Sequence, residues 1–320
     1  MKNISSIFST SLGILLFITT MINAQDFARF PGAFLRMGIT AREVSMGSAL
    51  VADIYGGVIG VSNPAGTAFL EQKHGTVGHQ ILSLDRQLSS VGVSMKLPPT
   101  AGIGIAWIHA GVDNIEERNS LGEYSGRLST GEDAFIISFA QNYKGIFSAG
   151  LNVKILSHGL PVYGETLNGS AVGFDLGFYY KINDYVQIGG VVQNLNAKYK
   201  WKTNSIFEET GTINYDNFPV IFRLGVKARY ENLNFLCESE LITDESYLLG
   251  KRLNGGIEYS INETIKLRAG LGKGKIGMGF GHTFNKFQGY EITVDYSSVF
   301  NEVQKFNNIA HVITSSITFD

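Results

Sequence analysis

From His74 onward, apolar and polar residues alternate with a period of two over segments of about ten residues, a pattern that predicts β-strands. In Val172-Gly173-Phe174-Asp175-Leu176-Gly177-Phe178-Tyr179-Tyr180, one face carries Val172, Phe174, Leu176, Phe178 and Tyr180, and the other Gly173, Asp175 and Gly177. Ile265, Leu267, Ala269 and Leu271 alternate in the same way with Lys266, Arg268, Gly270 and Gly272. Tyr290, Ile292, Val294 and Tyr296 alternate with Glu291, Thr293, Asp295 and Ser297. Fourteen such segments follow one another: 74–84, 88–97, 101–112, 132–144, 145–157, 169–182, 184–197, 217–231, 232–243, 249–261, 263–272, 275–285, 288–300 and 308–319. About ten tilted residues are what a strand needs to cross the hydrocarbon layer of a membrane. The segment 232–243 fits least, because Leu236 and Ile242 share a face with Glu238 and Glu240.

The connections fall into two classes that alternate. After every second segment they are short: Pro98-Pro99, Tyr143-Lys144-Gly145, Asn183-Asp184, Glu231-Asn232, Asn262-Glu263 and Asn285-Lys286-Phe287. On the other side, 112–131, 157–168, 198–216 and 301–307 are long and polar. A soluble β-sandwich also has many strands, but it gives no reason for this regularity. Short turns on one side and long loops on the other are what a transmembrane barrel shows. The expected fold is therefore all-β: an antiparallel transmembrane barrel of fourteen strands over 74–320, with both termini on the short-turn, periplasmic side.

In such a barrel the charged faces must point inward, because Arg or Lys on the lipid face at mid-depth costs about 2–4 kcal/mol. The inward set comprises Arg223, Lys227, Arg229, Glu238, Glu240, Glu258, Lys266, Arg268, Glu291 and Asp295. Basic and acidic strands are neighbours, so cross-strand ion pairs in a narrow, filled lumen are expected. A lumen greased for fatty compounds would carry more apolar side chains on its inner face. Tyr230, Tyr259, Tyr290 and Phe319 lie near strand ends, where interfacial girdles form.

The N-terminus reads differently. Lys2, the apolar run 12–18 and Ile22-Asn23-Ala24 form a secretory signal peptide over 1–24, leaving Gln25 first in the mature chain. The stretch 25–73 is rich in Gly and Ala, lacks a sustained period of two, and predicts short helical turns and tight loops. Pro64 fixes its own φ, Asn63 can bond its own backbone, and Gly66 permits close approach to a neighbour. This stretch is expected to be a plug lodged in the lumen, where a polar inner wall can satisfy its backbone groups.

Chemistry-bearing motifs are scarce. Cys237 is the single cysteine, so no internal disulfide or thiolate metal cluster is available. A net charge of −2 speaks against nucleic acid as a partner. Gly272-Lys273-Gly274-Lys275-Ile276-Gly277 matches a phosphate-binding glycine pattern, but no helix follows it, and it reads as a hairpin turn. The six histidines have no paired ligand spacing, and no nucleophile elbow is present. Neither an enzymatic activity nor a cofactor is expected.

Phe34-Leu35-Arg36-Met37-Gly38, Ala41-Arg42, Met46-Gly47-Ser48-Ala49 and Asn63-Pro64-Ala65-Gly66, in this order, resemble the N-terminal pattern of the PorV/PorQ family within the FadL-like outer-membrane barrels. The resemblance marks Arg36, Arg42, Met46, Gly47, Asn63, Pro64, Ala65 and Gly66 as the plug motif. It implies the outer membrane of a Gram-negative, Bacteroidota-type bacterium and a docking or cargo-shuttle role in type IX-like protein secretion. The implied partners are a translocon, cargo with a C-terminal signal domain, or a surface attachment complex. Tyr124, Tyr199, Trp201, Phe207 and Tyr215 on the long loops are then the expected partner-binding anchors, since exposed aromatics concentrate binding energy. The rival reading is a FadL-like channel for hydrophobic small molecules.

Overall fold

The computed structural model describes residues 29–55, 57–162, 164–203, 211–244, 247–287, 290–301 and 309–319. The signal-peptide reading and Phe207 lie outside them. The strands are β1 (Lys73–Ile81), β2 (Arg86–Leu97), β3 (Ala101–Arg118), β4 (Tyr124–Tyr143), β5 (Phe147–Val162), β6 (Glu165–Lys181), β7 (Val186–Leu195) and β8 (Lys198–Lys202). They continue as β9 (Ile213–Asn217), β10 (Val220–Tyr230), β11 (Leu233–Thr243), β12 (Leu248–Ser260), β13 (Ile265–Gly272), β14 (Lys275–Phe287), β15 (Tyr290–Asn301) and β16 (Ile309–Phe319). Fourteen of them pair antiparallel in a ring: β1 to β7 in order, then β10 to β16, with β16 returning to β1. Lys73 stands opposite Phe319 at that closure, so the sheet has no free edge there.

The alternation works as the sequence requires. Leu176, Phe178, Phe222, Leu224, Leu267 and Phe280 are exposed on the outer wall, while Asp175, Arg223 and Arg268 are buried on the inner one. Exposed Tyr143, Tyr185, Tyr230, Tyr259 and Tyr290 lie beside the short turns, where amphipathic rings suit a membrane boundary. The glycine pattern at 272–277 is the β13–β14 hairpin: Gly272 pairs with Lys275, and Lys273 and Gly274 both take positive φ.

Three loop assignments are corrected. The stretch 112–131 is not a loop: β3 and β4 continue above the barrel as a two-stranded hairpin, with Ile115 opposite Leu128 and Glu116 opposite Arg127. The stretch 157–168 likewise extends β5 and β6 to the pair Val162–Glu165. Within 198–216, β8 and β9 pair with each other, and β8 joins β6 through Gly169–Trp201 and Ser170–Lys200. Paired strands satisfy backbone groups that a loop would leave to water, and cross-strand pairs such as Glu116–Arg127 add to them.

Residues 31–55 and 57–70 pack against the inner wall of the ring. They form a 3-10 turn at Ala33–Arg36, a one-turn helix α1 (Ala41–Ser45) and a 3-10 turn at Pro64–Phe69. Thr40 caps α1 by accepting from the Glu43 amide, and Asn63 caps the second turn by accepting from Ala65. The enclosing wall supplies further bonds all round: Gln80 of β1 to Gly38, Ser94 of β2 to Ile59, Ser148 of β5 to Ala65, and Thr314 of β16 from Ala41.

Candidate functional site

The interior has two unlike halves. From β10 to β15 the inner wall is charged and grips the enclosed segment. Arg42 bonds Glu258 at 3.0 Å and Asp53 at 2.7 Å, and Lys227 reaches Asp53 at 2.9 Å. Arg268 lies between Glu258 at 2.7 Å and Asp295 at 2.5 Å. Arg223 pairs with Glu238 at 2.6 Å and donates to the Ser48 carbonyl, while Arg252 pairs with Glu240 at 3.3 Å. The segment itself thus contributes Arg42 and Asp53 to the network, two charges that a strand-by-strand reading places outside it. The structure puts Arg229 and Glu291 at exposed positions near the short turns and leaves Lys266 half-buried one strand position from that end. Arg229 and Glu291 share the strand faces of buried Arg223 and Asp295, but near the turns they are exposed instead of packed in the interior.

From β2 to β6 the inner wall carries an apolar band beside buried polar residues such as Ser94, Ser138, Ser148 and Asn152. Leu88, Ala106, Ile108, Ala134, Ile136, Leu156 and Ala171 are buried and pack with Phe34, Ile39, Val58 and Val61 of the enclosed segment. Sequence reasoning missed this lining, and the signal was present. In β3 and β4, Ile105, Trp107, Phe135 and Ile137 face out while Ile108, Ala134 and Ile136 face in, so both faces are apolar and the alternation disappears. Buried Lys154 breaks the lining on β5, paired with Asp175 at 2.6 Å.

The same logic resolves β11. Leu236 and Ile242 do share a face with Glu238 and Glu240, and that face points inward. Leu236 packs on Met46, Ala49 and Leu50, and Ile242 on Ile221.

The motif residues lie in these contacts. Arg36 donates to the Pro31 and Phe30 carbonyls and accepts from Lys273 through its own carbonyl. Met46 and Gly47 run against the backbone of β12 and β13, where a Cβ on Gly256 would come 2.6 Å from the Met46 carbonyl oxygen. Asn63 donates to the carbonyls of Val51 and of Phe178 on β6, and Pro64 and Ala65 lie against Gly150. Gly66 follows them within the 3-10 turn.

Of the expected loop anchors, Tyr124 and Tyr215 are exposed. Tyr199 and Trp201 are corrected: at 1 % and 6 % exposure they are not surface anchors. Pairing of β8 with β6 turns both rings inward over the barrel mouth, where Tyr199 lies tilted against Phe218 with ring centroids 4.9 Å apart and Trp201 covers Gly169. A cavity of about 100 Å³ opens between Met37, Leu82, Arg86, Leu88, Ala110, Thr130, Glu132 and His158. On the outer wall a second recess of about 340 Å³ runs along Leu176, Phe178, Val192, Phe222, Leu224 and Leu241. Among the described residues, no group of His, Cys, Asp and Glu side chains is placed to hold a metal ion.

No family model and no curated protein matches the chain. Solved structures do resemble it. A Pseudomonas aeruginosa FadL homologue aligns over 88 % of this chain and 98 % of its own, with a TM-score of 0.61 at 10 % identity. The Ralstonia pickettii toluene transporter TbuX covers 88 % and 97 %, with a TM-score of 0.58 at 12 % identity. The Pseudomonas putida toluene transporter TodX covers 88 % and 97 %, with a TM-score of 0.58 at 14 % identity. The chain thus has the FadL-like fold, a closed fourteen-stranded antiparallel barrel with an apolar exterior.

Proposed function

We propose that this protein is an outer-membrane channel for hydrophobic small molecules, with residues 25–73 acting as its plug. The observation that carries the reading is the apolar band of the inner wall, where Leu88, Ile108, Ile136 and Leu156 pack against Phe34, Ile39, Val58 and Val61 of the N-terminal segment. A conduit for polar solutes has a polar interior. The segment covers this band with apolar side chains, and a hydrophobic solute that takes their place recovers about 25 cal/mol for each Å² it covers. The neighbouring folds include two toluene transporters, which supports the same class of cargo. The plug assignment rests on the ion pairs of Arg42 and Asp53 with the wall. The protein is read as a channel and not as an enzyme.

The test is uptake of radiolabelled toluene by cells lacking other channels of this kind, with and without the protein. Ile108→Asp together with Leu156→Asp should lower uptake at least fivefold at unchanged protein level in the outer membrane. Uptake equal to that of cells without the protein would refute the channel. A docking role in type IX-like secretion draws on exposed Tyr124 and Tyr215 together with the motif resemblance. Co-purification of a translocon or signal-domain cargo from solubilised membranes, lost in Tyr124→Ala/Tyr215→Ala, would support that role instead.

A further inference from the structure

The outer wall changes chemistry over three successive rows of β3 to β6. In the lowest, Trp107, Phe135, Ile155 and Val172 stand opposite one another and are all exposed. In the next, His109, Asp133, Ser157 and Ser170 replace them, and every one can hydrogen-bond. The third row is Gly111, Gly131, Gly159 and Asn168, so bare backbone forms a shelf above Asp133 and Ser157. Asp133, Ser157 and Ser170 stand ten residues along their strands from Tyr143, Phe147 and Tyr180 at the short-turn end. Ten residues of a tilted strand rise about 25 Å, the height of the apolar band of a membrane barrel. The three rows therefore cross the boundary between acyl chains and lipid head groups.

The Asp133 carboxylate is held in a fixed attitude. Trp107 Nε1 and His109 Nδ1 both donate to its Oδ1, at 3.0 and 2.9 Å. Its Oδ2 has no partner among the described residues, and neither do the exposed hydroxyls of Ser157 and Ser170. The His109 ring leans over the shelf: a Cβ on Gly131 would stand 3.1 Å from its Cε1. Asp113, beside Gly111 and bonded by Gln87, and Lys200, opposite Ser170, carry charge at the two ends. The carboxylate at the centre repels a phosphate. An ammonium donates but cannot accept, so the Ser157 and Ser170 hydroxyl protons would gain nothing from it, whereas a sugar hydroxyl does both. Hydroxyl-to-carboxylate bonds are also among the stronger ones.

We infer that this sector is a docking site for the uncharged sugar head of a membrane glycolipid, with Asp133, Ser157 and Ser170 on its hydroxyls and its acyl chains along Phe135, Ile155 and Val172. The inference goes beyond the channel reading and depends only on the barrel lying in a bilayer. A sugar lipid is favoured over a free sugar because the shelf opens at the top of an exposed apolar wall.

The test places the full-length barrel in phosphatidylcholine nanodiscs doped with a lipid brominated on its acyl chains. Quenching of Trp107 is read in a Trp201→Phe background, which leaves one tryptophan in the chain. Brominated monogalactosyl diacylglycerol should quench at least threefold more than the same fraction of brominated phosphatidylcholine. Brominated phosphatidylethanolamine and phosphatidylglycerol should not exceed phosphatidylcholine. Ser157→Ala/Ser170→Ala leaves the Trp107–His109–Asp133 set intact and should remove at least half of the excess. Asp133→Asn, which keeps an oxygen for Trp107 and His109, should remove most of it. Heat modifiability on a gel confirms that each variant is folded. Equal quenching by all four lipids overturns the site, and an excess that survives both variants overturns the residues named. Phosphatidylethanolamine matching the galactolipid overturns the sugar. A change in Trp107 emission with free methyl galactoside, in undoped nanodiscs, overturns the lipid as its source.

Discussion

Arg268 shows how single side chains hold the interior. Its guanidinium bridges Glu258 and Asp295, and Arg42 from the enclosed segment meets the same Glu258 carboxylate. Each of these groups has left water, and each depends on the others to offset that loss. Arg268→Ala should therefore lower stability by about 3–5 kcal/mol, read as a shift of the urea midpoint in lipid vesicles, because it strands buried carboxylates. Gly256 is the complementary case. Its lack of a side chain lets the Met46 carbonyl lie against β12, and a Cβ there would stand 2.6 Å from that oxygen. Gly256→Val should cost about 1–3 kcal/mol by the same assay, since the overlap is with backbone and the one-turn helix must shift to relieve it.

At the scale of elements, β8 and β9 are the test. The hairpin adheres to the barrel through two residue pairs to β6 and through the rings of Tyr199 and Trp201. Trp201→Ala removes the ring that covers Gly169, so the hairpin should detach and its lysines, Lys198, Lys200 and Lys202, should become cleavable by trypsin while the barrel stays intact on a gel. A cleavage rate equal to wild type would show that Trp201 does not hold the hairpin. How much of this was legible in the sequence follows from periodicity. The outer face of each barrel strand was legible wherever an apolar residue alternated with Gly or a charge, as in β6, β13 and β15. The apolar band of the lumen was not, because in β3 and the middle of β4 both faces are apolar and a period of two carries no information about the inner one. The inward course of β8 was hidden for another reason. Lys198-Tyr199-Lys200-Trp201-Lys202 does alternate, but five residues among polar neighbours fall below the length of a membrane strand. Leu236 and Ile242 looked misplaced only while the inner wall was taken to be wholly polar; their partners are Met46, Leu50 and Ile221 on other elements.

The whole molecule joins a rigid ring to a segment held unequally on its two sides. Backbone bonds between adjacent strands close the ring without help from the interior, so the ring can stand alone. The segment is gripped by ion pairs on the side of β10 to β15, and by apolar packing with uncharged hydrogen bonds such as those of Ser94 and Ser148 on the side of β2 to β6. An apolar solute can compete with the second kind of contact far more readily than with the first, because it offers the wall a like surface and no desolvated charge. A small ion can do neither, and in the plug reading the segment blocks its path. Two measurements on one deletion separate these roles. Removing residues 29–72 should leave a heat-modifiable, folded barrel and should raise its single-channel conductance in planar bilayers at least tenfold. Arg42→Ala, which cuts the pairs to Glu258 and Asp53 while keeping the segment, should give an intermediate conductance with frequent switching between levels. A deletion variant that conducts no better than the intact chain would mean that something other than this segment fills the bore, and the two-sided grip would then have no part in controlling what passes.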